Sequence, residues 1–169
     1  MDLSRYDYIV FDCDGVILDS NRLKTEAFAV ALKDEPEDAV QRLLDYHVEN
    51  AGISRYRKFA LFYEQILPAA DADAKVASAL RRFGDIVRRG MAECGYVPGA
   101  LAFIEAAHRQ GLKLFVASGS DEKELNEVFQ ERGISRFFEK ILGSPSDKLE
   151  NTRRIAELAG PGSKGVFFG

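Results

Sequence analysis

The chain has 169 residues, 46% hydrophobic and 30% charged, a balance that fits a globular protein of one domain or one domain plus an insertion. Its formal charge of −4 argues against nucleic acid or an acidic membrane surface as the main partner, and no apolar run is long enough to span a bilayer. Cys13 and Cys94 have neither metal nor disulfide spacing and Met1-Asp2 does not open a signal peptide, so a reducing, cytoplasmic setting is expected.

Tyr8-Ile9-Val10-Phe11 is a short run of strand formers, stopped by Asp12, Cys13, Asp14 and Gly15, and predicts a buried strand. Residues 19 to 95 contain no convincing strand. Four amphipathic stripes are predicted there: Leu23, Ala27, Val30 and Ala31; then Val40, Leu43, Leu44 and His47; then Tyr56, Phe59, Ala60 and Tyr63; then Val76, Leu80, Phe83 and Val87, with Pro36 and Pro68 at boundaries. Further on, helices are expected over 99–109, 121–132 and 147–159, alternating with strands over 112–117, 138–142 and 166–168. Strand–helix alternation predicts α/β architecture: a doubly wound parallel sheet, Rossmann-like, formed by residues 1–18 and 96–169. Four helices are more than a crossover between strands needs, so residues 19–95 read as an inserted all-helical subdomain.

Ligands of such sheets bind at the carboxyl ends of the strands. Applied here, that rule gathers Asp12 and Asp14 from the first strand, Ser118-Gly119-Ser120 from the second, and Lys148 beyond the third. Two neighbouring carboxylates repel unless a cation sits between them, and Mg²⁺ suits an oxygen-only site with few protein ligands. A carboxylate so neutralised can attack phosphorus while a second one moves the proton. The Ser118 hydroxyl, backbone N–H groups and the Lys148 ammonium would meet the phosphoryl oxygens. The pattern points to phosphoryl transfer.

The stretch "DCDGVILDS" resembles the first motif of the haloacid dehalogenase superfamily, an apolar strand followed by D-x-D-G-V-x-x-D-S. "LKLFVASGS" and the downstream Lys148 resemble its second and third motifs, in the same order, and the helical insertion resembles the cap of the phosphoglycolate-phosphatase and β-phosphoglucomutase branch. The resemblance implies that Asp12 is nucleophile and magnesium ligand. It makes Asp14 the general acid/base, with its backbone carbonyl on the metal. Ser118 would bind the phosphoryl group with Gly119 and Ser120 beside it, and Lys148 would hold both the phosphoryl group and Asp12. An acid at position 14 goes with the family's phosphatases and mutases rather than its dehalogenases. Asp19 and Ser20 fall where the cap hinges, Lys24 stands where relatives often carry a histidine, and Gly52-Ile53-Ser54-Arg55 resembles the cap loop of sugar-phosphate mutases. Lys24, Arg55 and Lys58 are therefore expected to read a second anionic end of a small phosphomonoester.

Two departures from the family pattern matter. Pro145 precedes Lys148 instead of following the lysine, which leaves Lys140 as a competitor. "KGVFFG" brings in the strand that carries the fourth motif, but Gly169 follows at once, so a truncated form of a longer enzyme is expected, with weak magnesium binding and self-association through an uncovered sheet edge. The leading expectation is a magnesium-dependent phosphatase. A phosphosugar mutase and a non-catalytic relative are its rivals, and the acid pair on one strand counts against a receiver-type signalling domain. The plainer readings are a core histidine for His47, a helix-end charge for His108, packing for Cys13, and solvated helix surface for the cap lysines and arginine.

Overall fold

The computed structural model describes residues 3–169. Its first strand, β1 (Tyr8–Phe11), has Ile9, Val10 and Phe11 buried, as a strand covered on both faces requires. The chain then enters a helical unit and returns to build α5 (Ala100–Arg109), β2 (Lys113–Asp121), α6 (Glu122–Glu131), β3 (Lys140–Ser144), α7 (Lys148–Ala159) and β4 (Gly165–Phe168). The helices inside the helical unit are α1 (Asn21–Ala31), α2 (Glu37–Glu49), α3 (Arg55–Leu61) and α4 (Ala72–Glu93).

The sheet is parallel throughout, in the order β3-β2-β1-β4. The chain steps outward from β1 to β2 to β3 and then crosses back to the other side of β1, so the direction of winding reverses beside β1. That reversal opens a crevice at the carboxyl end of β1, where loops diverge to opposite faces. In register, Phe11 lies between Val116 on β2 and Phe168 on β4, and Asp12 follows it with its N–H donating to the Phe168 carbonyl at 2.8 Å.

Alternation along the strands divides the core. Val10, Phe115, Ala117 and Leu142 pack with Ile155 of α7, and Tyr8 lies against them. Phe11 meets the rings of Phe103, Phe138 and Phe168 at centroid distances of 6.1, 6.1 and 5.5 Å. Side-chain caps start the two helices that follow β2 and β3. Asp121 accepts from the Glu124 N–H at 3.0 Å and Asp147 from the Glu150 N–H at 2.8 Å.

Contacts divide the chain into an α/β unit, up to Ser20 and from Cys94 to Gly169, and a helical unit, Asn21–Glu93. These limits lie two residues inside the 19–95 span expected from sequence. Residues 17–19 and 95–97 are tied together by backbone bonds, Asp19 N–H to the Gly95 carbonyl at 2.9 Å and Val97 N–H to the Ile17 carbonyl at 3.0 Å. An isolated bridge also joins Leu18 and Tyr96.

Within the helical unit, Phe28, Phe59 and Phe83 form an aromatic centre, with ring centroids 4.5 to 5.7 Å apart. The first stripe is corrected here. Val30 is 50% exposed, while Phe28 turns inward at 2%, because the buried face of α1 is the row of Ala27, Phe28 and Ala31. The third stripe is longer than expected. Helix α3 runs on into a π-turn, Phe62–Ile66, in which the Leu67 N–H donates to the Phe62 carbonyl. Phe62 and Tyr63, at the start of that turn, are both buried.

Candidate active site

The motif "DCDGVILDS" folds into a tight loop directly after β1. The Ile17 and Leu18 N–H groups donate to the Cys13 carbonyl at 2.9 and 3.0 Å, and the Gly15 N–H donates to the Leu18 carbonyl at 2.8 Å. Gly15 has φ of 71°, a left-handed conformation that side chains with a Cβ rarely adopt. The loop holds Cys13 fully buried and leaves the carboxylates of Asp12 and Asp14 partly exposed.

Each carboxylate has distinct partners. Lys148, the first residue of α7, places its Nζ 2.6 Å from Asp12 Oδ2, and the Cys13 N–H donates to Asp12 Oδ1 at 2.7 Å. The Lys148 ammonium also stands 5.8 Å from the centre of the Phe167 ring, so charge and ring face both restrict it. Asp14 accepts from two hydroxyls, Ser20 Oγ on Oδ1 at 2.5 Å and Ser120 Oγ on Oδ2 at 3.0 Å. Ser118 is buried, and its Oγ accepts from the Ser120 N–H at 3.2 Å while donating to Ser120 Oγ at 3.3 Å. The Gly119 carbonyl accepts from Ser144 Oγ at 2.8 Å.

Asp12, Asp14, Ser118, Gly119 and Ser120 at strand ends and Lys148 at the start of α7 therefore lie in one unit, linked in two chains: Lys148 to Asp12, and Ser118 through Ser120 to Asp14. Lys140, the competitor for the lysine role, is exposed at the opposite end of β3. Ser20, read from sequence only as a hinge position, is fully buried and bonded to Asp14; its place in the D-x-D-G-V-x-x-D-S pattern was the available signal.

The remaining three candidates belong to the helical unit. Lys24 and Arg55 are partly buried; the Arg55 guanidinium lies 5.4 and 5.5 Å from the ring centres of Tyr56 and Phe83. Lys58 is 1% exposed, with its Nζ 2.7 Å from Nδ1 of the buried His47 and 5.7 Å from the centre of the Phe28 ring. That burial runs against the plainer reading of Lys58 as solvated helix surface.

An open, doubly wound parallel sheet carrying acids at its switch point, with a helical unit inserted after the first strand, defines a Rossmann-like α/β fold. Residues 6–169 match the haloacid dehalogenase-like hydrolases, and the chain belongs to that family. By family it is a hydrolase. It is similar to a predicted phosphatase from Clostridium acetobutylicum (21% identity, TM-score 0.73, covering 97% of this chain and 76% of that one). It is similar also to CbbY from Rhodobacter sphaeroides in complex with phosphate (19%, TM-score 0.69, 96% and 76%). YfnB from Bacillus subtilis, assigned as a HAD-hydrolase and bound to magnesium, is a third (16%, TM-score 0.65, 97% and 79%). No curated protein matches the chain. No helix of the described residues is long and apolar enough to cross a membrane.

Proposed function

We propose that the chain is a magnesium-dependent phosphomonoester hydrolase that works through a phosphorylated Asp12. The observation that carries this reading is the separation of roles between the two acids. Asp12 is paired with the ammonium of Lys148, and Asp14 is held by two hydroxyls, on one loop at the switch point of the sheet.

The donors fit magnesium. Asp12 and Asp14 offer oxygen donors only, the kind a hard cation takes. Magnesium takes one or two carboxylates and fills its shell with water and substrate phosphate. Asp12, with its side chain 18% exposed, and Asp14, through its main-chain carbonyl, would hold it. When bound, the ion offsets negative charge on the phosphoryl oxygens and on Asp12.

The protein's own groups account for the rest. An Asp12 oxygen forms a bond to phosphorus while the ester P–O bond breaks, and the leaving alkoxide takes a proton from Asp14. Water then attacks phosphorus as Asp14 recovers a proton from it, the bond to Asp12 breaks, and inorganic phosphate leaves. Lys148 neutralises charge that builds on the equatorial oxygens, as preorganised donors do most effectively in a site partly shielded from water. Ser118 joins it by exchanging its bond to Ser120 for one to the phosphoryl group. Lys24 and Arg55 are the candidates for reading the remainder of the substrate, a small phosphomonoester with a second polar or anionic end.

Phosphate release from a panel of phosphomonoesters, with and without magnesium, tests this reading beside Asp12→Asn. Magnesium-dependent turnover that Asp12→Asn abolishes is the expected result. Turnover that survives Asp12→Asn, or proceeds equally in chelator, would overturn it.

A further inference from the structure

We infer that Asn151 is a positioning residue for the Asp12–Lys148 pair, acting by gripping the loop that joins β3 to α7. The inference rests on the reading of Lys148 just given, but not on turnover.

Lys148 is the first residue after the loop of residues 145–147, which leaves β3 just beyond Gly143 and Ser144. That loop is fastened from two sides. From α6, Glu122 Oε2 accepts from the Gly143 N–H at 3.0 Å. From α7, Asn151 Nδ2 donates to the Gly143 carbonyl at 3.0 Å and reaches the Ser146 carbonyl at 3.5 Å. Both faces of the strand's end are thus held by side chains, while the loop itself, Pro145 to Asp147, is largely exposed. The orientation of the Asn151 amide follows from its partners, because a flipped amide would set an oxygen against two carbonyl oxygens.

Asn151 is 1% exposed and its Oδ1 finds no hydrogen-bond partner among the described residues. Burying an acceptor without a partner is unfavourable, so packing alone does not account for an amide at this site. What the side chain contributes is the donated pair. Those two bonds join the end of β3 and the middle of the loop to the first turn of the helix that carries Lys148, three residues earlier on α7. With the grip released, the loop and the first turn of α7 can shift together, and Lys148 loses its 2.6 Å contact with Asp12. Displacements near 1 Å at a reacting centre lower rates by roughly a hundredfold.

The test compares Asn151→Asp and Asn151→Ala with Ile155→Val, which trims a buried core side chain on the same helix. The first readout needs no catalysis: the ¹³Cε and ¹⁵Nζ shifts of Lys148, assigned with Lys148→Met and referenced to Asp12→Asn, in which the ion pair is absent. Both Asn151 variants are expected to move these shifts toward the Asp12→Asn values, and Ile155→Val to leave them in place. The second readout is kinetic. Asn151→Asp should lower kcat by about tenfold or more near neutral pH, with a smaller change in KM, and recover relative to wild type as pH falls and the new carboxyl gains a proton to donate. Unmoved shifts in both Asn151 variants, or equal changes in Ile155→Val, would overturn the inference. Moved shifts in a chain that shows no turnover would uphold it while refuting the phosphatase reading.

Discussion

Gly143→Ala isolates the tightest backbone approach around the site. A Cβ built on Gly143 would overlap the Ser120 carbonyl oxygen and come within 2.8 Å of both Cα and N of Glu122. All three atoms are backbone, so no side chain can rotate out of the way; either β3 or the end of β2 must move. Overpacking of this kind costs about 1–3 kcal/mol. The same shift strains the Glu122 and Asn151 hydrogen bonds to Gly143, at about 1 kcal/mol each. A loss of about 3–5 kcal/mol follows, which lowers Tm by roughly 6–20 °C for a chain of this size. Activity should fall further than stability explains, since Ser120 and the loop to Lys148 are the parts displaced. Gly90→Ala is the contrast. The three atoms nearest its Cβ all belong to the Leu23 side chain, which can turn aside, and alanine is favoured over glycine inside a helix by about 1 kcal/mol. Thermal unfolding and kcat on both variants decide the matter. A Gly143→Ala protein with Tm within about 2 °C of wild type would refute the argument that this approach is rigid.

Further outcomes follow from local geometry. Asp147→Ala removes the side-chain acceptor of the Glu150 N–H and should cost about 1 kcal/mol in urea unfolding, with Asp147→Asn retaining most of it. Phe11→Ala removes a 4%-exposed ring that touches three others; a loss of about 3–5 kcal/mol is expected from the same assay. Burial, with smaller contributions from Asp14 and Asp19, pushes the Cys94 thiol above its ordinary pKa against the opposing pull of Arg132. Less of it is thiolate at pH 8, so its alkylation by iodoacetamide should be slower than that of a free cysteine. Ser20→Ala removes the short bond to Asp14 Oδ1 and should lower kcat by about tenfold with KM little changed, if orientation of that acid limits proton transfer.

The parts of this protein that were legible in the sequence are those whose signal is local. Four apolar runs marked four strands, and glycine and aspartate marked the helix ends near Gly111, Asp121, Gly133 and Asp147. The second strand outran its prediction, reaching Asp121 instead of ending at Ala117. Ser118-Gly119-Ser120 reads as a turn, yet the ladder to β3 shifts register between Ala117 and Asp121 and resumes at Ser144, a tertiary pairing that no run of residues announces. The π-turn was hidden for a similar reason, since the bond from the Leu67 N–H to the Phe62 carbonyl leaves no mark in the pattern of apolar residues. Asn151 and Glu122 passed unnoticed as ordinary polar helix residues, because what they hold, the Gly143 peptide, reaches them only when β3 is in place. Lys58 misled in the opposite sense. A lysine on a helix is usually solvated, and only the packing of His47 and Phe28 around it reveals an interior position.

The backbone bonds joining residues 17–19 to 95–97 have a consequence for how such a chain could arise. Seen from the sheet, everything between them is a single excursion that leaves and re-enters through one doorway, already latched by hydrogen bonds. Chain-closure entropy grows only with the logarithm of length, so an excursion of this size costs roughly 2 kcal/mol more to close than a turn of about ten residues. The latch is indifferent to what the excursion contains. Evolution can therefore lengthen, shorten or replace the helices beyond the doorway while the sheet and its acids keep the same frame.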